Sequence, residues 1–443
     1  MKTTKSILAL NAFEPGAAGI EDARLAGLVA RRRSHAGAAS VLFYEEPIEM
    51  VRASGVFMFD AKGNRYLDVY NNVPSVGHCH PHVVAAIARQ AETLAIHTRY
   101  LNETVEAYAD RLLASFPGEL SNLVMTCTGS ESNDLAVRLA CSASGGTGFV
   151  VTETAYHGNT ALTTEISPSS FKTGHIPPHV RTVPMPAGRP GDGPGDLARR
   201  FAADVGAALG DLAEKGIRPA GLIVDTIFSS DGVFADPPGF LEPAVAAVRA
   251  AGGLYIADEV QPGFGRTGAG LWGFSRHEVT PDIVTMGKPM GNGYPMGGVV
   301  TRPELIERYS KNFGYFNTFG GNTVAAAAGA AVLDVIESEG LIANAARVGA
   351  ELRAGLVSLA ARHAAIGAVR GAGLFVGLDI VDPESRAPDP AAASALINGL
   401  KRRRVLVGAA GPFGHTLKIR PPLCFSADDA ALFVECVDAV LGA

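Results

Sequence analysis

No apolar run in this sequence approaches the roughly 20 residues that a membrane-spanning helix requires. The longest stretch of small apolar residues, 324–335, is rich in Ala and Gly and falls far short. Near the N-terminus two lysines precede an apolar run that Asn11 and Glu14 break, so the core of a secretory leader is not expected. The five cysteines (Cys79, Cys127, Cys141, Cys424 and Cys436) are odd in number and widely spaced. They offer neither a disulfide framework nor zinc spacing, which fits a reducing cytoplasm. Positive charge is short as well, with a formal net charge of −6. That balance argues against nucleic acid or a membrane surface as partner. Neither a GxSxG elbow nor a GxxxxGK[ST] loop occurs.

The sequence does have the means to build a large core. Its 443 residues are 47% hydrophobic and 19% charged, the balance of a globular chain of about two domains. From residue 121 strand-like and helical segments alternate: strands at 123–126, 148–152, 220–228, 254–260 and 283–286, helices at 131–143 and 242–251. Buried Val/Ile/Leu strands between helices predict an α/β fold with a mostly parallel sheet covered on both faces. A Pro/Gly-rich loop at 184–195 interrupts it. Helices are expected at 322–338, at 341–365 and from Pro390, strands near 374–380 and 417–419, and a last helix capped by Ser426. The expected division is an N-terminal segment with part of a small domain (1–75), a large domain (76–335) and the rest of the small domain (336–443).

The most informative segment is 284–297, VTMGKPMGNGYPMG. Lysine is scarce, nine against twenty-nine arginines, and Lys288 lies between Gly287 and Pro289. The glycine lets backbone approach a ligand and the proline opposes a helix, so this lysine is poised for a Schiff base with a carbonyl. Upstream, Asp258 ends an apolar strand, where a carboxylate is costly unless paired. The two suit pyridoxal phosphate: the acid keeps the pyridine nitrogen protonated and the lysine holds the aldehyde. Gly129 and Ser130, at a strand-to-helix junction, suit a phosphate, though a plain turn uses the same residues. Tyr156 could stack on a flat ring or serve the core. Asp225 ends another strand and could contact the cofactor region or cap a loop, while Gln261 is spaced to reach a ring hydroxyl. Gly263–Gly268 matches GxGxxG, but the continuation AGLWGFSRHE does not open a helix, so a dinucleotide site is rejected. His78 and His80 have no third ligand at a diagnostic spacing, so no metal is expected.

The segments TCTGSESND, AYHG, IADEVQPGFGRTG, TMGKPMGNGYPMG and NTFGGN, in that order, resemble the class III aminotransferases of fold type I. The resemblance runs from about residue 30 to the end. It implies a seven-stranded, mostly parallel sheet in the large domain, a small α+β domain built from both chain ends, and a homodimer with shared active sites. It makes Lys288 the Schiff-base lysine and Asp258 the partner of the pyridine nitrogen. Val260 and Tyr156 would enclose the ring, Gly129 and Ser130 form the phosphate cup, Gln261 meet the ring hydroxyl, and Thr318 reach the neighbouring subunit's cofactor phosphate.

The segments RRRSHAGAASVLFY, YNNVPSVGHCHP, IPPHV and LKIRPPLCF are similar to the ethanolamine-phosphate phospho-lyase subgroup. A glutamate that gates a carboxylate-binding arginine in some transaminases is Ser230 here, and the arginine's place is taken by Lys418. The resemblance thus implies a phospholyase acting on O-phosphoethanolamine or a similar phosphorylated amine. The alternative is an omega-transaminase working between an amine or amino acid and a keto acid. A lyase needs its leaving group held; Arg99, Lys418 and Arg420 are the candidates, with His78 a further one.

Overall fold

Seven strands form the central sheet in the computed structural model, which describes residues 10–14, 20–189, 191–193 and 195–442. Their order is Asn122–Thr126, Gly297–Thr301, Ile283–Met286, Leu254–Asp258, Pro219–Asp225, Gly148–Thr152, Val180–Val183. All pair in parallel except Gly297–Thr301, which runs antiparallel to both neighbours. The reason for the apolar runs is visible in the packing. Because side chains alternate along a strand, Phe149, Val151, Ile223 and Ile256 join one buried cluster, with helix Gly129–Ser144. Val150, Leu222, Val224 and Tyr255 join the other, with helices Asp196–Glu214, Glu242–Ala250 and Thr323–Ser338.

Parallel register places the chemistry. Asp225 pairs with Asp258, and Asp258 with Thr285, so three polar side chains stand in a row at the carboxyl edge. Ligands bind at that edge in open α/β sheets. Lys288 follows the Ile283–Met286 strand there, and Gly129 follows Asn122–Thr126.

Two four-stranded sheets complete the fold. Met50–Ser54, Phe57–Asp60 and Arg65–Asp68 are joined by Val405–Leu406 from the far end of the chain, with Val405 parallel to Leu67. Ile366–Ala372, Phe375–Ile380, Thr416–Ile419 and Gly408–Ala410 form the other.

Several elements differ from the sequence reading. The strand expected to reach residue 228 stops at Asp225, whose carboxylate accepts the Ile227 and Ser229 N–H groups at 3.1 and 3.3 Å and so turns the chain. The strand expected at 254–260 stops at Asp258, leaving Val260 and Gln261 in the following loop. The helix expected at 341–365 ends at Ala360, ahead of the strand Ile366–Ala372. Ser426 caps the final helix through a reciprocal pair with Asp429, as the SADD pattern predicts. Among the described residues no helix is long and apolar enough to cross a membrane.

Candidate active site

The carboxyl edge of the sheet opens into a cleft of about 380 Å³. Gly129, Ser130, Tyr156 and Asp225 line it together with Asp258, Val260, Gln261 and Lys288. Eight residues singled out from the sequence, scattered over 160 positions, thus meet on one surface.

Asp258 is buried and fully engaged. Its Oδ2 accepts from Asn133 Nδ2 at 2.9 Å and faces His157 Nδ1 at 2.7 Å, while Oδ1 accepts the Val260 N–H at 3.1 Å. Asn133 is itself held, since its Oδ1 accepts from Thr285 Oγ1 at 2.6 Å. Neither Asn133 nor His157 was singled out from the sequence as a functional residue. The signal for Asn133 was an amide next to the apolar run that the helix buries, close to Leu135 and Ala136. For His157 it was adjacency to Tyr156 at a strand end.

Lys288 stands at φ +24°, a backbone conformation rare for a side-chain-bearing residue and frequent where a site is held under constraint. It keeps some surface toward the cleft while protein surrounds its ammonium. Burial, and secondarily the charge of Arg420, lowers its pKa from 10.5 to about 8, against the opposing pull of Asp258 and Asp225. About a tenth of the amine is therefore unprotonated at pH 7, far more than for an ordinary lysine, as a nucleophile or base requires.

The glycines define a cradle. A Cβ on Gly287 would lie 2.8 Å from the Gly129 nitrogen, and one on Gly158 2.8 Å from Ser130 Oγ. A Cβ on Gly129 would meet Val260 at 2.8 Å. The lysine loop, the N-terminus of helix Gly129–Ser144 and the Val260 loop thus close on one another too tightly for side chains. A helix N-terminus in such a cradle favours a phosphate. With an amine of lowered pKa, a firmly held carboxylate and an aromatic wall, this donor set fits pyridoxal phosphate.

A second group lies behind Asp225. Burial pushes the Asp225 carboxyl up, Asp258's charge adds to the effect, and the Ser229 hydroxyl bonded to it opposes. Ser229 Oγ also accepts from Lys418 Nζ at 3.4 Å. Lys418 is 5% exposed, and no carboxylate pairs with it among the described residues. Burial first, then Arg420, drives its pKa well below the usual lysine range. Arg420, two residues along and so on the same face of the strand, donates through Nε to the Tyr70 carbonyl at 2.8 Å and through Nη1 to Gln261 Oε1.

Other sequence candidates lie elsewhere. Arg99 and Thr318 are exposed, outside this chain's cleft, and the Arg99 guanidinium covers the Phe316 ring at 3.9 Å. His78 faces Asp68 at 2.7 Å and His80 faces Glu339 at 2.9 Å, so the two histidines serve different carboxylates. Among the described residues no group of three or more His, Cys, Asp or Glu could hold a metal. GFGRTG is an irregular turn, in keeping with its rejection as a dinucleotide motif.

Residues 43–441 match the family model "Aminotransferase class-III". An alanine–glyoxylate aminotransferase 2-like protein of Drosophila melanogaster is 40% identical, over 93% of this chain and 86% of its own. The ethanolamine-phosphate phospho-lyase homolog 1 of Caenorhabditis elegans is 37% identical over 96% of both chains. Among solved structures, a phospholyase from Arthrobacter in complex with phosphoethanolamine superposes with a TM-score of 0.90. It is 44% identical, and the match covers 94% of this chain and 99% of that one.

Proposed function

The chain belongs to the class III aminotransferase family, a family of pyridoxal-phosphate enzymes, and from that premise we propose that it eliminates phosphate from a small phosphorylated amino alcohol, O-phosphoethanolamine first. Water and the substrate yield acetaldehyde, ammonia and phosphate. The observation that carries this reading is Lys418, a buried amine with one long hydrogen bond, to Ser229 Oγ, and no ion pair to a carboxylate among the described residues. In the gated arrangement a glutamate would stand at 230 and an arginine at 418; with Ser230 and Lys418 here, the basic side chain has no such glutamate. A substrate phosphate supplies an anion in its place.

Pyridoxal phosphate, when bound, supplies an electron-poor ring that accepts the electron pair of a broken C–H bond. Lys288 would hold it, and its amine is the group that would take the proton from the substrate carbon beside nitrogen. Its lowered pKa suits that exchange. Asp258, fixed by Asn133, His157 and the Val260 N–H, would keep the pyridine nitrogen protonated. Gly129 and Ser130 would hold the cofactor phosphate, and Tyr156 and Val260, which line the same cleft, would flank the ring. Lys418, aided by the charge of Arg420, receives the leaving phosphate as its C–O bond breaks.

The working form is a homodimer in this proposal. Thr318 and Arg99 lie among apolar side chains that are open in the single chain: Leu101 is 93% exposed, Phe319 70% and Tyr100 67%. A second copy covering this patch would carry Thr318 toward the neighbouring cleft, and Arg99 toward the substrate phosphate there.

The decisive experiment supplies the cofactor-loaded protein with O-phosphoethanolamine and no keto acid. Catalytic release of phosphate with acetaldehyde is expected. No release, with alanine formed from an amine and pyruvate, replaces the lyase reading by omega-transamination; the name of the Drosophila relative is that of an aminotransferase.

A further inference from the structure

Arg420 enters the site by an unexpected route. Its guanidinium is only 8% exposed as a residue, rests over the Tyr70 ring at 4.6 Å, and is tied through Nε to the Tyr70 carbonyl. What it offers inward goes to the side-chain carbonyl of Gln261. A guanidinium has donors only, so the amide of Gln261 cannot turn round without setting donor against donor. Its oxygen is committed to Arg420, and its NH2 is the group left for the cleft that Gln261 lines.

We propose that Arg420 is a positioning residue that locks Gln261 as a hydrogen-bond donor to the ring oxygen of pyridoxal phosphate. An unheld glutamine could present either face. The locked one favours the deprotonated ring oxygen, and the positive charge behind the amide strengthens it as a donor. The proposal uses only cofactor binding and therefore holds for elimination and transamination alike, so its failure would leave the choice between them untouched.

The test is equilibrium binding of pyridoxal phosphate and of its 3-deoxy analogue, which lacks only the ring oxygen, to the apoprotein. Loss of Arg420 also alters Lys288, but that change weakens both ligands and cancels in the ratio of affinities. In Arg420→Met the preference for pyridoxal phosphate over the analogue falls by about 10-fold, the scale of one hydrogen bond with charge behind it. Gln261→Leu gives the same fall, and the double variant falls no further. Gln261→Glu, which keeps a partner for Arg420 but puts an acceptor in place of the donor, lowers the ratio below that of Gln261→Leu. An unchanged ratio in Arg420→Met, or in Gln261→Leu, overturns the proposal. Should Arg420→Met fail to fold, Arg420→Gln decides, because its amide offers a donor or an acceptor and so frees Gln261 to turn: a reduced ratio supports the lock and the native ratio refutes it.

Discussion

Asp258 and Lys418 are both buried ionisable groups, Asp258 on the wall of the cleft and Lys418 behind Asp225 and Ser229, yet they are treated in opposite ways. Asp258 accepts from a side-chain amide and a backbone N–H and faces an imidazole, with both oxygens engaged. Lys418 has a single hydrogen bond, at 3.4 Å, and lies 5.6 Å from the Phe375 ring; Arg420 and Lys288 repel its charged form while Asp225 and Asp231 attract it. Leaving a buried charge unmet costs far more than leaving it at the surface. On the proposed function, the contrast separates a group built for a permanent occupant from one that waits for a transient one.

The largest effect should come from removing the anchor of the permanent side. Lys288→Ala is expected to lower turnover by at least about 10⁴-fold, because anchoring and proton transfer go together. Steady-state phosphate release measures this, and residual activity near the native level would end the assignment of Lys288. Next, Asp258→Asn should cost about 10²- to 10³-fold in kcat with cofactor still bound, since it removes a preorganised charge. An undiminished kcat would mean that Asp258 only supports the fold.

On the waiting side, Lys418→Met sharpens the comparison because its two readouts part company. KM for O-phosphoethanolamine should rise about 10- to 100-fold, the worth of a charge-assisted contact. The melting temperature of the unliganded protein should hold or rise, because an unpaired buried cation has been replaced by an apolar chain. A fall in melting temperature with KM unchanged would make Lys418 structural.

The smallest effect concerns pH. With the folded value at about 8, uptake of pyridoxal phosphate by the apoprotein should climb about 10-fold per pH unit below that value and level off above it. Stopped-flow absorbance reads this directly, and a flat profile would contradict the lowered pKa. The stability linkage has the opposite sign from a usual lysine pair. The folded value is depressed, so the ammonium form weakens the apoprotein throughout the range below about 8. That penalty disappears as pH rises from about 8 to the ordinary 10.5.

Much of this was legible in the sequence for physical reasons. Runs such as 254–257 and 283–286 could only be buried strands, and Lys288 and Asp258 were conspicuous as charges at their ends. Gly297–Thr301 escaped notice because two glycines at its start read as loop. The helix Asp196–Glu214 carries Leu197, Phe201, Val205, Leu209 and Leu212 on its buried face, yet its preceding Pro/Gly segment drew attention away from that period. The engagement of Asp258 by Asn133 and His157 was less accessible. It joins residues 125 and 101 positions apart, a relation that register and helix placement decide and local pattern does not contain.

The overlooked strand Gly297–Thr301 has a mechanical consequence. It pairs Gly297 with Thr126, just before the glycine cradle, and Gly298 with Met286, just before the lysine loop. A Cβ at Gly297 would lie 2.7 Å from Thr126 Oγ1, so nothing larger can sit between the two. One strand thus acts as a common ruler for both grips. The distance from phosphate cradle to anchoring amine is set by a rigid ladder, and the loops at its ends can flex without changing the gauge.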